Sequence, residues 1–333
     1  MIAIHKGNED FSVRWLQYCE AAKIPYKIVD CYRNDIIQQL KGCTALMWHF
    51  NHANPKSTLF AKQLMYAVEE LGIRVFPDYK TVWHFDDKAG QKYLLEALQA
   101  PLVPSYVFYT KKESLDWIFN TSFPKVFKLR GGAGSQNVQL VHSKSEAVRL
   151  VNKAFGRGFS QYDAWSNFKE RLRKYKTGTT SFTDVCKGFI RIFYTTEFAK
   201  VAGRDKGYIY FQDFIDNNDC DIRIIVIGEK AFAMKRMVRE NDFRASGSGI
   251  TFYKRELFDE GSVKIAFDLA QKMKAQCLAF DFVYKDGTPL ILEISYGFAI
   301  TIYDACEGYW DTGLKWHKGK FIPQNWMVDL MLT

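Results

Sequence analysis

The sequence contains no apolar run near the ~18 residues that a membrane-spanning helix requires, which excludes a helical integral membrane protein. Its opening, Met1-Ile2-Ala3-Ile4-His5-Lys6, turns polar after four apolar residues, shorter than the apolar core of a secretory signal, about 7–15 residues. A cytoplasmic protein is therefore expected. The cysteines, Cys19, Cys31, Cys43, Cys186, Cys220, Cys277 and Cys306, are odd in number and form no Cys-x-x-Cys pair. Reduced thiols are the expectation, not a disulfide framework or a zinc site. Basic residues form no long block, which argues against a nucleic-acid-binding tail. There is no internal repeat and no low-complexity tract, so solenoids and disordered linkers are excluded. Neither G-x-x-x-x-G-K-[ST] nor G-x-G-x-x-G occurs, and no nucleophile–histidine–acid triad stands out.

What the chain does have is enough apolar material for a sizeable core: 333 residues, 47% hydrophobic and 16% aromatic. Length divided by ~150 suggests about two domains, or three small ones. Lys and Arg total 46 against 37 Asp and Glu, a net charge of +9. That balance suits anionic partners such as nucleotides, acidic sugars or nucleic acid, and net charge alone does not choose among them. Over residues 1–80, short β-like runs (Ile2–His5, Tyr26–Asp30, Ala45–Phe50, Ile73–Phe76) alternate with helical spacing, as in Phe11, Trp15, Tyr18 and Ala22. Such alternation implies a parallel α/β sheet. Asn54-Pro55 reads as a helix start and Gly72 as its end. Asp86–Leu98 reads as a helix carrying Lys88 and Lys92. From Tyr208 the β pattern returns, in Tyr208–Phe214, Ile222–Ile227, Ala231–Val238, Leu278–Tyr284 and Leu290–Ile294, with a long helix at about Glu260–Ala275. Gly156–Thr180 is polar and basic around Lys169–Lys174, the pattern of a solvated surface helix or lid.

Three constellations carry chemistry. The strand Pro124–Leu129 runs into Arg130-Gly131-Gly132-Ala133-Gly134-Ser135-Gln136-Asn137 and returns as Val138–Val141. Glycines let backbone N–H groups approach phosphate oxygens, and Lys128 would add a point charge; a plain flexible hairpin satisfies the same pattern. Asp281 and Glu293 each sit among apolar residues on β-like runs joined by the turn Lys285-Asp286-Gly287-Thr288. Antiparallel pairing would bring the two carboxylates together. They could bind Mg²⁺ alongside phosphate oxygens, or be salt-bridged to Lys or Arg. The third is a basic set: Arg223, Lys235, Arg236, Arg239, and Arg244 in the small-residue loop Asn241–Gly249. His49 and His52 follow the third strand and could face a substrate, although a polar strand-end pair with no ligand role is the favoured reading. Trp48, Trp83 and Trp310 are expected in cores or interfaces.

The order of these features is more specific than any one of them. A lysine and a glycine-rich hairpin are followed by Gln212-Asp213-Phe214-Ile215, Asp221-Ile222-Arg223, Phe243-Arg244-Ala245-Ser246, Asp281, and Glu293-Ile294-Ser295. This series, over roughly Asp86 to Ser295, resembles the ATP-grasp superfamily and within it the RimK-type amino-acid ligases. The resemblance implies mixed α/β and α+β architecture: a pre-ATP-grasp α/β domain at 1–80, a small lobe with flap and helical insertion at 81–207, and a large lobe at 208–333. It implies ATP with Mg²⁺ (or Mn²⁺) and an ADP-forming carboxylate–amine ligase working through an acyl phosphate. Its substrates would be small or carrier-linked, for example an amino acid and a peptide or acidic sugar, with no nucleic acid involved. A phosphotransferase and a non-catalytic ATP-binding module are the alternatives.

Residue by residue, the resemblance assigns Lys128 to phosphate, Lys88 to phosphate or a structural role, and Gly131, Gly132, Gly134 and Ser135 to the flap. Asp213 and Phe214 would read adenine. Asp221 would hold the ribose, with Asp219 the competing choice, and Arg223 would lie nearby in the nucleotide site. Arg244 and Arg236 would act with Lys128 on the transferring phosphoryl group. Asp281, Glu293 and Ser295 would bind the metal. Ser295 stands where the family usually has asparagine, and Tyr296-Gly297-Phe298 replaces a small-residue turn.

Overall fold

The computed structural model describes residues 1–51, 54–131, 137–160, 168, 171–172, 175, 180–193, 203–239 and 242–332. The chain divides into two units. The first comprises Met1–Asn51, Ser57–Val103 and Ile215–Thr333, and the second His52–Lys56 and Pro104–Phe214. Among the described residues no helix is long and apolar enough to cross a membrane.

The first unit opens with β1 (Ile2–His5), α1 (Phe11–Ala21), β2 (Tyr26–Val29), α2 (Ile36–Gln39), β3 (Ala45–Met47), α3 (Pro55–Glu70), β4 (Arg74–Phe76), α4 (Tyr79–Val82) and α5 (Lys88–Ala97). The strands form a parallel sheet in the order β2-β1-β3-β4, as the alternation of strands and helices implied. Asp10 caps α1 by accepting from the Ser12 amide at 2.9 Å, and the helix buries Phe11, Trp15 and Cys19 at a four-residue spacing. That spacing lays one apolar stripe against the sheet. Asp87 caps α5 through the Gly90 amide at 2.9 Å, setting Lys88 in the first turn.

The second unit contains β5 (Ser105–Phe108), α6 (Lys111–Asn120), β6 (Lys125–Lys128), β7 (Val138–Val141), α7 (Lys144–Ala154), β8 (Phe159–Ser160), α8 (Phe182–Phe193), β9 (Arg204–Asp205) and β10 (Ile209–Asp213). Its main sheet runs β5-β10-β6-β7. Phe127, Phe211 and Val141 on one face pack with Ile118 of α6 and Ala147 and Val151 of α7. Most of the basic stretch 156–180, including Lys169 and Lys174, lies outside the described residues. The segment that follows it forms α8, which exposes Phe182, Phe189 and Ile190.

The first unit resumes with β11 (Cys220–Ile227), β12 (Lys230–Met237), β13 (Thr251–Phe252), α9 (Glu260–Met273), β14 (Cys277–Lys285), β15 (Thr288–Ser295), β16 (Gly308–Asp311), β17 (Trp316–Lys318) and α10 (Pro323–Asp329). The antiparallel sheet has the order β15-β14-β11-β12-β16-β17, with β13 also on β12. One face, with Ile222, Ile224, Leu278 and Phe280, buries against Val263, Ala266 and Phe267 of α9. The other, with Ile225, Phe232, Met234 and Ala279, buries against Phe11 and Trp15 of α1 and Met327 of α10. The α10 helix and the β16–β17 hairpin were not anticipated from the sequence. The helix covers an apolar face of the sheet, and the hairpin extends the sheet at its β12 edge.

Candidate active site

The face of the large sheet that buries Ile225, Met234 and Ala279 becomes charged at its other end. Side chains alternate along a strand, so Asp221 and Arg223 on β11, Arg236 on β12 and Asp281 on β14 share that face. Register places Asp221 opposite Arg236 and Arg223 opposite Asp281. Arg236 donates from Nε and Nη2 to the two oxygens of Asp221, both at 2.6 Å. Arg223 donates in the same bidentate way to Asp281, at 2.5 and 2.6 Å. Arg236 Nη2 also lies 3.0 Å from Asp281 Oδ2, joining the two pairs. Burial alone would raise the Asp281 pKa, but the charges of Arg223 and Arg236 outweigh it and hold the carboxyl well below its usual range. Burial raises the Asp221 pKa, and Arg236 offsets this only in part. Tyr303, fully buried, lies against both guanidiniums, and burial pushes its hydroxyl pKa up.

Glu293 joins this row through a local irregularity. The β14–β15 turn pairs Lys285 with Thr288, with Asp286 and Gly287 both at positive φ, the conformation of a two-residue hairpin turn. Continued without a break, that register would set Leu292 opposite Asp281. A shift between Asp281 and Phe282 inserts Leu292 as an extra residue and sets Glu293 opposite Asp281 instead. Lys88 of α5, itself buried, lies 3.9 Å from Glu293 Oε2. Gln91, one turn further along α5, ties the helix to this strand: it accepts from the Ile294 amide at 3.2 Å and donates to the His84 carbonyl at 3.1 Å.

Past Ser295 the chain enters an aromatic joint. The Tyr296 hydroxyl donates to the Phe50 carbonyl. His49 accepts from the Phe11 amide through Nδ1 at 3.2 Å, which leaves its proton on Nε2. Its ring stacks on Phe11 at 3.8 Å. Phe298 packs on Phe11 from another side, with ring centroids 4.8 Å apart. The substitution of Tyr296-Gly297-Phe298 for small residues thus has a physical reason: these rings fasten the β15 end to the parallel sheet.

In the second unit, Lys128 lies on the sheet face away from α6 and α7. Its Nζ donates to Gln212 Oε1 at 2.6 Å, Gln212 Nε2 donates to Ser105 Oγ at 3.0 Å, and the Tyr210 hydroxyl donates to the same oxygen at 2.9 Å. All four residues are buried. On the opposite face, Lys125 pairs with Asp213 at 2.6 Å beside the rings of Tyr106 and Trp117. Gly131 follows this strand, whereas Gly132, Gly134 and Ser135 lie outside the described residues.

A family model described as the RimK-like ATP-grasp domain matches residues 196–305, the segment that carries the charged row. The biotin carboxylase domain of Hydrogenobacter thermophilus 2-oxoglutarate carboxylase, crystallised with MgADP, ADP and bicarbonate, superposes with TM-score 0.61 at 13% identity, over 99% of this chain and 69% of that one. A RimK domain ATP-grasp protein from Sphaerobacter thermophilus gives 0.55 at 11% identity, over 100% and 99%. D-alanine–D-alanine ligase from Bacillus anthracis gives 0.53 at 15%, over 90% and 86%. The chain has the ATP-grasp fold. No functionally curated protein matches it.

The ATP-grasp fold implies a divalent cation, for which Asp281, Glu293 and Ser295 are the expected ligands. Both oxygens of Asp281 already accept from arginine, and two guanidinium charges beside that carboxylate oppose a cation. Ser295 Oγ is engaged with the backbone of Gly297, 3.2 Å from its N and 3.2 Å from its O. Among the described residues no group of three or more His, Cys, Asp or Glu could hold a metal. The three expected ligands are brought close together, but they do not fit a resident metal ion. Glu293, whose side chain is 37% exposed, is the least committed of them.

Arg244 is likewise engaged. It grips Asp242 through Nε at 2.8 and 2.9 Å and Nη2 at 2.5 Å. Arg239 braces the same loop by donating twice to the Ser246 carbonyl, at 2.8 and 2.5 Å. Gly247 makes this approach possible: at φ +79 it would carry a Cβ 2.7 Å from Arg239 Nη2. His49 is placed as above, and His52 lies outside the described residues. Trp48 and Trp310 are core, each 1% exposed. Sequence reasoning missed Gln212, Ser105, Gln91 and Asp242, because each acts through a partner distant in the chain or hidden in a loop.

Proposed function

We propose that this chain is an ATP-dependent carboxylate–amine ligase that releases ADP and phosphate. The observation that carries this reading is the overlap between the RimK-like match and the row of charges on one sheet face. Arginine forks held by carboxylates are suited to the equatorial oxygens of a transferring phosphoryl group, where positioning and charge supply most of the catalysis. A substrate carboxylate oxygen attacks the γ-phosphorus, and the bond to the β–γ bridging oxygen breaks as ADP leaves. The amine nitrogen then attacks the acyl carbon, loses a proton, and phosphate departs. The nucleotide enters as its magnesium complex, which is a substrate. In this reading Arg223, Arg236 and Arg244 act on the phosphoryl oxygens, with Lys128 and Lys88 on the remaining phosphates. Asp213 and Phe214 face adenine, and an amino acid with a peptide or acidic sugar is the substrate pair.

The test is ADP release and hydroxamate formation with MgATP, hydroxylamine and a panel of amino acids and uronic acids. Hydroxamate dependent on one carboxylate is the expected result. ADP release without hydroxamate would point to phosphotransfer to a hydroxyl instead. ATP binding without turnover across the panel would point to a binding module.

A further inference from the structure

We infer that the Tyr303 hydroxyl is a further hydrogen-bond donor to the transferring phosphoryl group, beside Arg223 and Arg236. This rests on the ATP-dependent reading above. Tyr303 lies on the short helical turn Ile302–Ala305 and is 1% exposed. Its ring meets Phe232 and Phe298 edge-on, with centroids 5.2 and 5.3 Å away. The turn itself is tied down. Arg14 of α1 forks onto Asp304 at 2.7 and 2.6 Å, Lys320 donates to the Asp304 carbonyl at 2.8 Å, and the Tyr303 carbonyl accepts from the Cys306 amide at 3.0 Å. Packing and these bonds hold the hydroxyl in place before any ligand arrives.

Among the described residues that hydroxyl has no hydrogen-bond partner. The charges it feels are those of Arg223, Arg236 and Asp281. A guanidinium has no lone pair to offer, so neither arginine can accept the phenolic proton. Asp281 already accepts from both arginines. A buried donor without an acceptor is costly, and phenylalanine would fill the same space without that cost. The cost has a use once an anionic oxygen stands beside the arginines. Arg223 commits Nε and Nη2 to Asp281, which leaves Nη1 outside the pair. Its side chain is also the most open of the three, at 17% against 8% for Arg236 and 6% for Asp281. A phosphoryl oxygen bound there would accept from Tyr303 as well. The tyrosine keeps its proton and gives a hydrogen bond that strengthens as charge builds on that oxygen.

The experiment measures MgADP binding by the full chain and by Tyr303→Phe. It then measures the affinity of each MgADP complex for orthovanadate, a stand-in for the transferring phosphoryl group. MgADP affinity should agree within about twofold, whereas orthovanadate should bind Tyr303→Phe about tenfold or more weakly, the loss of a hydrogen bond to a charged oxygen. The urea midpoint of the variant should stay level or rise. A merely structural hydroxyl would lower that midpoint and leave vanadate affinity alone, and equal vanadate affinity in the two proteins overturns the inference. Should the variant not fold, infrared difference spectra of the wild-type chain with isotope-labelled tyrosine decide: vanadate should shift a tyrosine C–O band, and an unchanged spectrum overturns the inference equally. A wild-type protein that binds MgADP but not vanadate overturns it and leaves the nucleotide reading standing. A wild-type protein that binds no MgADP overturns the nucleotide reading itself, and that failure is seen before any variant is compared.

Discussion

Arg236 in the first unit and Lys128 in the second are both buried cations on a sheet face, and their partners differ in kind. Arg236 meets two carboxylates, at 2.6 and 3.0 Å, within a row in which two arginines are matched by two aspartates. Lys128 meets the neutral amide of Gln212, which is itself held by Ser105. An ion pair fixes geometry and cancels charge together. An amide fixes position without contributing an opposing charge. The first arrangement makes a rigid fork at the expense of field strength, and the second keeps a positive field with a softer hold. Sheet register explains why each was available: opposite charges face each other across β11, β12 and β14, whereas Gln212 reaches Lys128 diagonally between β10 and β6.

The comparison is broken most easily at Arg236. Arg236→Met leaves Asp221 buried without its fork, and breaking a buried pair on one side costs about 3–5 kcal/mol. Urea unfolding should show a loss of that size. Asp221→Asn in the same background should recover part of it, since the stranded charge is then gone. A loss under 1 kcal/mol would mean that the row is wetter than its burial indicates.

Acid should strike the first unit. His84 is fully buried, and among the described residues neither ring nitrogen has a hydrogen-bond partner. Burial lowers its pKa to about 4. The unfolded chain binds this proton below about pH 6.5, while the folded chain stays neutral until about 4. Stability is therefore complete above about pH 6.5 and is lost as pH falls toward 4, by roughly 3 kcal/mol in all. Hydrogen exchange followed over that window should show α4 and α5 losing protection before β6 and β10. His84→Gln should flatten the dependence. Equal loss in both units would place the acid-sensitive group elsewhere.

Lys128→Met sharpens the contrast from the other side. It removes the buried hydrogen bond from Lys128 to Gln212, a cost of about 1–2 kcal/mol. Affinity for MgATP should fall at least tenfold by calorimetry, because the lost charge is the useful part. A stability loss as large as that of Arg236→Met would erase the distinction between the two cations.

Much of this was legible in the sequence because periodicity of two and turn chemistry are local. The Lys285-Asp286-Gly287-Thr288 turn and the apolar neighbours of Asp281 and Glu293 correctly implied a hairpin with facing carboxylates. The shift that sets Glu293 rather than Leu292 opposite Asp281 left no local trace, since an extra residue in a strand looks like any other apolar residue. The arginine partners of Asp221 and Asp281 were hidden for a different reason. They depend on β11 lying between β12 and β14, which is a property of strand order. The elements of the last thirty residues were missed because β16, β17 and α10 are short: the hairpin extends the β12 edge and α10 sets Trp326 on Phe232, and neither shows a periodicity of its own.

The smallest expected effect concerns the loop pair Asp242–Arg244. Asp242 sits two residues before its partner, and Arg244 is 30% exposed. Solvent screens such pairs, so Asp242→Asn should change stability by no more than about 1 kcal/mol. The guanidinium freed by this change is one that the proposed reaction would use on phosphate. ATP affinity should therefore stay level or tighten by a few-fold, with a steeper dependence on salt than the wild-type protein shows. Thermal unfolding and calorimetry at two ionic strengths check both statements. Weaker binding would mean that Asp242 aims Arg244 rather than competing with phosphate for it, and would extend the ion-paired design from the sheet into the loop.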